Sequence, residues 1–284
     1  MLFRSMLFSI GLAKKVLIAD TFAVWATAGF DQADHLTFYE AWATSLSYTF
    51  QIYFDFSGYT DMALGAALLF NIRMPVNFNS PYRATSIQDF WRRWHITLSR
   101  FLRDYLYIPL GGSRRGAGRV YANLLVTFVL GGLWHGATWM FVLWGALHGA
   151  AMVVHRLWQR LGVRMPTLLA WLLTFNFINL TWIVFRAQTL EDALKVLRGM
   201  TGLDAMEKLG ERFTGWAGLL APQLEVGLAL LAGLALALSW RNSNVLLTGV
   251  RPGLAGVLAC GLLTAWSLLT LMASKYSEFI YFNF

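Results

Sequence analysis

The 284-residue chain has few charged residues, few prolines and a single cysteine. Charged residues make up 13% of it, against about 25% in a soluble globular domain, and 57% of its residues are hydrophobic. This shortage of charge excludes an ordinary soluble protein and indicates an integral membrane protein. Cys260 lies alone in an apolar run, so the sequence supports no disulfide, no zinc site and no thiol chemistry.

Several familiar enzyme motifs are missing as well. The sequence has no GxGxxG, Walker or GxSxG motif, so nucleotide-binding folds and serine hydrolases are not supported. His95, His135 and His148 form neither an HxH nor an i, i+4 pair, and no acidic residue stands at ligand spacing, so we expect no metal site. The basic residues accompany apolar runs, which argues against nucleic-acid binding.

What the sequence does have is a series of apolar runs, and a helix needs about 20 apolar residues to cross a bilayer. The runs lie near residues 16–30, 39–72, 120–137, 138–155, 168–185, 222–240 and 253–273. We therefore predict an all-α polytopic membrane protein with a single domain over residues 1–284. The 39–72 run is too long for one straight span and holds Asp55 near its middle, which predicts a broken or steeply tilted helix.

The charges indicate how the chain is oriented in the membrane. Residues 73–119 hold nine arginines and only two acidic residues. Because cytoplasmic loops of membrane proteins carry an excess of Lys and Arg, we expect this loop to be cytoplasmic. The same assignment places the C-terminus outside.

Within this loop, residues 86–108 predict an amphipathic helix, opened by a capping pattern at Ser86 and Asp89. Its apolar side chains share one face, and the opposite face carries Arg92, Arg93, Arg100 and Arg103. We expect the helix to lie in the membrane interface with its apolar face towards the lipid. Two roles for the arginines stay open: they hold lipid phosphates, or they also attract an anionic acyl donor.

The most informative residue is His135, which lies in a glycine-broken apolar stretch between two short runs. A titratable side chain inside a membrane span is costly, so it is a functional-site candidate by default, and imidazole suits proton transfer near neutral pH. Non-helical backbone at membrane depth persists only where protein or a cavity surrounds it, so we expect this junction to line a cavity. His95, at the border of the amphipathic helix, is a second candidate, and a structural role for it stays open.

Three blocks of sequence, over residues 51–63, 79–112 and 132–149, resemble the membrane-bound O-acyltransferase family. Within that family the chain looks most like the branch that O-acetylates alginate. The resemblance implies a ring of helices around a tunnel, in the inner membrane of a bacterium. Family members carry several further spans ahead of the segment that begins here at Gly11, so we expect the chain to be N-terminally truncated.

The resemblance also implies which residues act. His135 matches the family's catalytic histidine, and His95 matches a second position that is important for activity. We expect His135 to act as the base, with Trp134 and Trp139 shaping a dry slot around a thioester. The other expected donor or substrate contacts are Arg92, Arg93, Arg103, Asp55, Tyr59 and His148.

The implied reaction takes an acyl group, with acetyl-CoA as the expected donor, and passes it across the membrane for O-acetylation of an extracellular polysaccharide such as alginate. No bound cofactor is expected. The expected partners are membrane lipids, the acyl donor, the polysaccharide and periplasmic acetyltransferases. Two other functions stay open: a non-catalytic membrane scaffold, and a transporter, which a broken helix at Asp55 would favour.

Overall fold

The structure is a computed structural model that describes residues 2–202, 216–239, 242, 243, 245 and 253–274, with the backbone alone for 216–222. These described residues form helices and contain no strand, which confirms the predicted all-α class. Four of the described helices are long and apolar enough to cross a membrane: Gly116–His135, Trp139–Leu161, Thr167–Arg186 and Leu254–Ala273.

Eleven α-helices follow one another along the described chain. They are α1 Leu2–Ala13, α2 Asp20–Thr27, α3 Phe38–Leu69, α4 Ile87–Trp91, α5 Ile96–Leu102, α6 Gly116–His135, α7 Trp139–Leu161, α8 Thr167–Arg186, α9 Leu190–Thr201, α10 Trp216–Leu238 and α11 Leu254–Ala273. Three π-helical turns continue helices already begun, at Lys14–Ala19, Ala28–Gln32 and Arg103–Tyr107. Each predicted apolar run therefore corresponds to a helical segment.

The prediction of a break near Asp55 is wrong, because α3 is continuous. It runs for 32 residues from a capping box formed by Thr37 and Glu40. At 1.5 Å per residue it is about 48 Å long, against about 30 Å for the bilayer core. The glycine in the middle of the run serves packing instead: a Cβ on Gly58 would lie 2.7 Å from the carbonyl oxygen of Gly11 in α1. Small residues here let the two helix backbones approach closely.

The predicted single helix over 86–108 is also wrong. Ser86 Oγ accepts the backbone N–H of Asp89 as the capping pattern predicts, but α4 ends only five residues after it begins. A turn follows, and His95 takes a left-handed backbone conformation with φ 42° before α5 starts. Because the helix is interrupted at this point, a helical wheel drawn across 86–108 does not describe which side chains share a face.

The apolar side chains of this segment pack mainly on protein and not on lipid. Those buried within the chain are Ile87, Phe90, Trp91, Trp94, Leu98 and Leu102. Phe101, Tyr105 and Ile108, in the second half of the segment, are exposed. The expected interfacial helix therefore corresponds to a segment whose first half is part of the protein core.

Tyr82 shows how the loop of residues 73–119, which we call the arginine-rich segment, is attached to the helices. Its hydroxyl donates to the carbonyl oxygen of Thr49 in α3 at 2.6 Å and accepts from Trp182 Nε1 in α8 at 3.2 Å. Its own carbonyl accepts from Trp171 Nε1 at 2.8 Å. Buried hydrogen bonds of this kind are costly to leave unmade, so they fix the segment between α3 and α8.

Candidate active site

His135 is the last residue of α6 and is 7% exposed. Its ring centroid lies 5.0 Å from that of Trp134, 5.4 Å from Trp144 and 5.1 Å from Phe185, all in edge-to-face orientation. Aromatic pairs prefer this geometry because the positive ring edge meets the negative ring face. The imidazole is therefore oriented by rings from three helices, α6, α7 and α8.

Glycines bring α6 and α7 together beneath this histidine. A Cβ on Gly132 would lie 2.2 Å from the carbonyl oxygen of Phe141, and one on Gly145 would lie 2.3 Å from that of Phe128. Real Cβ atoms do not come this close to backbone, so only glycine permits the observed contact. Gly145 and Gly149 are also four residues apart, the small-residue spacing of close helix packing in membranes. The break that the sequence predicts between the two spans is confirmed at residues 136–138.

His95 reaches the same place from the arginine-rich segment. Its ring lies 6.5 Å from Trp134 and 4.8 Å from Phe56 of α3, both edge to face. Its Nδ1 lies 3.2 Å from Asn77 Oδ1. The structure thus brings both predicted catalytic histidines to one indole ring. We name His95, Trp134, His135, Trp144 and Phe185 the aromatic cluster.

The electrostatic surroundings keep His95 neutral. Burial, with a smaller contribution from the nearby His135, lowers the pKa of His95 from 6.5 to about 3. An uncharged imidazole is an acceptor as well as a donor of protons, whereas an imidazolium can only donate. At neutral pH His95 can therefore accept a proton or a hydrogen bond.

The two tryptophans expected to enclose a thioester differ from that expectation. Trp134 contacts both histidines, yet 60% of its surface is exposed. Trp139, the first residue of α7, is 85% exposed. Trp134 therefore lies beside the histidines while Trp139 is exposed, and a slot for a thioester between them stays a prediction.

His148 lies on α7 below the aromatic cluster and is completely buried. Its Nδ1 accepts from Trp91 Nε1 at 3.2 Å, and its Nε2 lies 3.1 Å from Thr181 Oγ1. The indole can only donate, so Nδ1 is unprotonated and the neutral ring carries its proton on Nε2. Both ring nitrogens are therefore satisfied inside the protein, an arrangement suited to holding α4, α7 and α8 together.

The three arginines predicted to contact a donor lie at or near the surface. Arg93 donates through Nε to Asp89 at 2.9 Å and through its guanidinium to the carbonyl of Asn79 at 3.3 Å. Arg103 pairs with the adjacent Asp104 at 2.7 Å. Arg92 is exposed. Such exposed guanidinium groups are accessible both to lipid phosphates and to an anionic donor.

Asp55 is buried in α3 and forms an ion pair with Lys15 at 3.0 Å. Lys15 also pairs with Asp20 at 2.6 Å, and the neighbouring Lys14 pairs with Asp61 at 2.7 Å. We name these five residues the ion-pair cluster. Lysines at the start of the π-helical turn thus hold both helix carboxylates, those of Asp55 and Asp61. Tyr59, four residues beyond Asp55, is 48% exposed.

A cavity of about 500 Å³ opens at the end of α8. Its lining includes Phe30, Arg186 and Lys195, and the Arg186 guanidinium pairs with Asp31 and lies over the Phe30 ring. Arg186 directly follows Phe185, whose ring contacts His135. A residue that lines the cavity, Arg186, is thus the sequence neighbour of Phe185 in the aromatic cluster. A cavity at the 136–138 junction itself stays a prediction.

Sequence reasoning missed Asn77 and Phe185, which contact the two histidines. A lone asparagine in a loop and a phenylalanine in an apolar span carry no sequence signal, because their roles depend on distant segments. Lys14 and Lys15, by contrast, did carry a sequence signal. Two lysines in one apolar segment and two aspartates in another are a balanced set of charges, and buried charges are normally paired.

Comparison with known proteins places the chain in a family. Residues 3–189 match the family model described as "MBOAT, membrane-bound O-acyltransferase family". This range covers most of the chain and includes both histidines of the aromatic cluster. The chain belongs to the membrane-bound O-acyltransferase family. The resemblance based on the three sequence blocks is thereby confirmed.

Individual relatives act on different polymers. A "Peptidoglycan O-acetyltransferase" of Helicobacter pylori is 48% identical over 98% of this chain and 56% of its own length. A "Probable alginate O-acetylase AlgI" of Pseudomonas putida is 38% identical over 96% of the chain and 59% of the relative. A "Teichoic acid D-alanyltransferase" of Bacillus subtilis is 30% identical over 49% of the chain and 39% of the relative. The chain therefore spans little more than half the length of the Helicobacter pylori and Pseudomonas putida relatives.

Proposed function

We propose that this chain carries the acyl-transfer site of a membrane-embedded O-acetyltransferase of a bacterial inner membrane. In this proposal an acetyl group passes from acetyl-CoA on the cytoplasmic side to a hydroxyl of an extracellular polysaccharide. The observation that carries the proposal is the convergence of His95 and His135 on the ring of Trp134. Two neighbouring imidazoles, of which His135 is buried and His95 half-buried, suit proton transfer more than they suit packing.

The proposed chemistry uses His135 as the base. The acceptor hydroxyl gives its proton to the imidazole while its oxygen attacks the thioester carbonyl carbon. A C–O bond forms, the C–S bond breaks, and the departing thiolate takes the proton back from the imidazolium. His95, neutral at the start, assists by accepting a proton or a hydrogen bond beside the same tryptophan. Held in fixed positions, such acid and base groups typically contribute about 10² to 10⁴-fold to a rate.

Donor binding is proposed at the surface of the arginine-rich segment. Excess arginine indicates a cytoplasmic loop, and the guanidinium fork suits phosphate groups such as those of coenzyme A. The proposed donor contacts are Arg92, Arg93, Arg103, Trp134, Trp139 and Tyr59. Asp55 and His148 are instead assigned to packing, because an ion pair and two hydrogen bonds hold their polar groups within the protein.

The proposed acceptor is a hydroxyl-bearing polymer of the cell envelope. The relatives are named for peptidoglycan, alginate and teichoic acid, so the likeness supports the class of acceptor and not one member of it. Alginate stays one candidate. Periplasmic acetyltransferases are proposed as partners that complete delivery to the polymer, with the C-terminal end of this chain on their side of the membrane. The C-terminal residues lie outside the described part of the structure.

The transporter alternative has lost the observation that favoured it. It depended on a broken helix at Asp55, and α3 is continuous there. The scaffold alternative makes a different prediction: a scaffold needs folded protein but no titratable side chain at position 135.

The test is a His135→Gln variant of the protein encoded by the complete gene, in a strain that lacks the wild-type copy. We expect ester-linked acetate on the cell-envelope polysaccharide to fall to background while the membrane level of the protein is unchanged. His155→Gln, on the same pair of helices but away from the cluster, is the matched control and should retain acetylation. Normal acetylation in the His135→Gln strain would contradict the enzymatic proposal and favour the scaffold.

A further inference from the structure

One side-chain oxygen organises the backbone and the imidazole of His95. Asn77 is buried, and its Oδ1 lies 3.1 Å from the backbone nitrogen of Thr97, 3.0 Å from Thr97 Oγ1 and 3.2 Å from His95 Nδ1. Thr97 is the second residue of α5, where backbone N–H groups have no partner within the helix. Asn77 therefore caps this helix from a position 20 residues away in sequence.

The contact with Thr97 fixes which way the amide of Asn77 points. A backbone N–H can only donate, so the Asn77 atom that faces it must be the carbonyl oxygen. The same oxygen faces His95 Nδ1. If Nδ1 were unprotonated, its lone pair would face a lone pair of the Asn77 oxygen, and the two would repel each other. Nδ1 therefore carries the hydrogen. In a neutral imidazole, the other ring nitrogen then has the free lone pair.

We propose that Asn77 is a positioning residue that holds His95 in the Nδ1–H form, so that Nε2 is the proton acceptor at the edge of the ring away from Asn77. Two backbone bonds support the arrangement. Ile96 N–H donates to the Asn77 carbonyl at 3.0 Å, and Asn79 N–H donates to the Arg93 carbonyl at 2.9 Å. These bonds flank the left-handed residue and hold it in a conformation that non-glycine residues seldom adopt.

The role given to Nε2 rests on the proposed function, whereas the tautomer does not. Among the described residues, His135 is the titratable group whose charge acts on His95. The nearest basic side chain along the segment, Arg93, is occupied by Asp89. Because His95 is neutral, its Nε2 lone pair can accept a hydrogen bond from the substrate.

The tautomer can be measured by solid-state NMR of the complete protein in bilayers, with ¹⁵N-labelled histidine and His95→Gln to assign the resonance. We expect a protonated Nδ1 and an unprotonated Nε2. In Asn77→Leu, which has no oxygen at this position, we expect the His95 signals to divide between the two tautomers. A protonated Nε2 in the wild type, or an unchanged spectrum in Asn77→Leu, would overturn the proposal.

Activity supplies a second readout. Asn77→Asp keeps the oxygen but adds a negative charge that stabilises the imidazolium, so the pKa of His95 rises and the acidic limb of the rate profile moves to higher pH. Asn77→Leu should lower kcat by about 10²-fold, with KM little changed. Gln159→Glu, the same amide-to-carboxylate change at an exposed position near the end of α7, is the matched control and should move neither quantity. An Asn77→Asp profile identical to that of the wild type would contradict the assignment.

The two readouts separate two kinds of failure. If the wild-type protein transferred no acetate, the proposed function would fail while the NMR measurement still tested the tautomer. If acetate transfer were normal and the tautomer wrong, the inference about Asn77 would fail alone.

Discussion

The aromatic cluster and the ion-pair cluster bury polar side chains in opposite ways. In the ion-pair cluster, Lys14 and Lys15 meet Asp61, Asp55 and Asp20 at 2.6–3.0 Å, so every charge has an opposite charge in contact. In the aromatic cluster, aromatic rings surround the two histidines, edge to face.

This difference distinguishes side chains that stabilise the fold from side chains that can transfer a proton. A carboxylate that touches an ammonium group is held in its charged form, which stabilises the helix contact and makes proton transfer unfavourable. The histidines of the aromatic cluster lie against rings instead, and His95, whose pKa burial lowers to about 3, is neutral at rest and can gain a proton transiently.

Lys15→Met breaks the ion-pair cluster at its centre. It removes the cation that Asp20 and Asp55 share, and breaking a buried pair typically costs about 3–5 kcal/mol. We expect a large fall in melting temperature in detergent, and partial recovery in Lys15→Met/Asp55→Leu. Arg103→Met, which removes an exposed pair with Asp104, is the control and should change melting little. An unchanged melting temperature in Lys15→Met would show that this cluster does not stabilise the fold.

Gly132→Ala forces α6 and α7 apart beneath the aromatic cluster. The new Cβ would meet the Phe141 carbonyl at 2.2 Å, and overpacking of this kind costs about 1–3 kcal/mol. We expect lower thermal stability and lower acetate transfer. Gly118→Ala in the same helix meets nothing within 4 Å and is the matched control. Equal melting temperatures for the two variants would disprove the tight contact.

His148→Phe distinguishes a packing histidine from a reactive one. It leaves Trp91 Nε1 and Thr181 Oγ1 without their buried partner, at a cost of about 1–3 kcal/mol. We expect lower stability but acetate transfer per folded molecule close to that of the wild type. Loss of transfer at unchanged stability would instead restore His148 as a donor contact, as the sequence predicts.

The smallest expected effect is that of His95 protonation on the thermal stability of the protein. Its pKa is about 3 in the folded protein and 6.5 ordinarily, so between these values the unfolded chain binds more protons. Stability that is complete above the higher pKa is therefore lost as the pH falls below it. We expect the wild type to melt at a lower temperature at about pH 5 than at about pH 8, and His95→Gln to reduce the difference. An undiminished difference would show that other groups account for it.

The sequence predicted the fold better than the surroundings of the site. Apolar runs and the glycine break are local signals. The order of the spans, the hairpin at residues 136–138 and the two candidate histidines could therefore be predicted from the sequence. The course of α3 was not, because Asp55 looks disruptive until Lys15 is known to face it. The interruption at His95 could not be predicted for a similar reason. The amphipathic period of residues 86–108 continues across it, and the contacts that fix the turn come from Asn77 and Tyr82, outside those residues.

The hairpin of α6 and α7 has a further consequence, for the order in which the chain assembles. Its two helices are joined by three residues and touch through glycines, so their contact closes a very short loop and costs little entropy. The hairpin can therefore form as soon as both helices have entered the bilayer, with His135 already beside Trp144. The arginine-rich segment precedes the hairpin in the chain, but its Trp91 and Trp94 need α7 and α8 as their packing surface. We therefore expect the arginine-rich segment, with His95, to pack after the hairpin has formed, although it is synthesised before the hairpin.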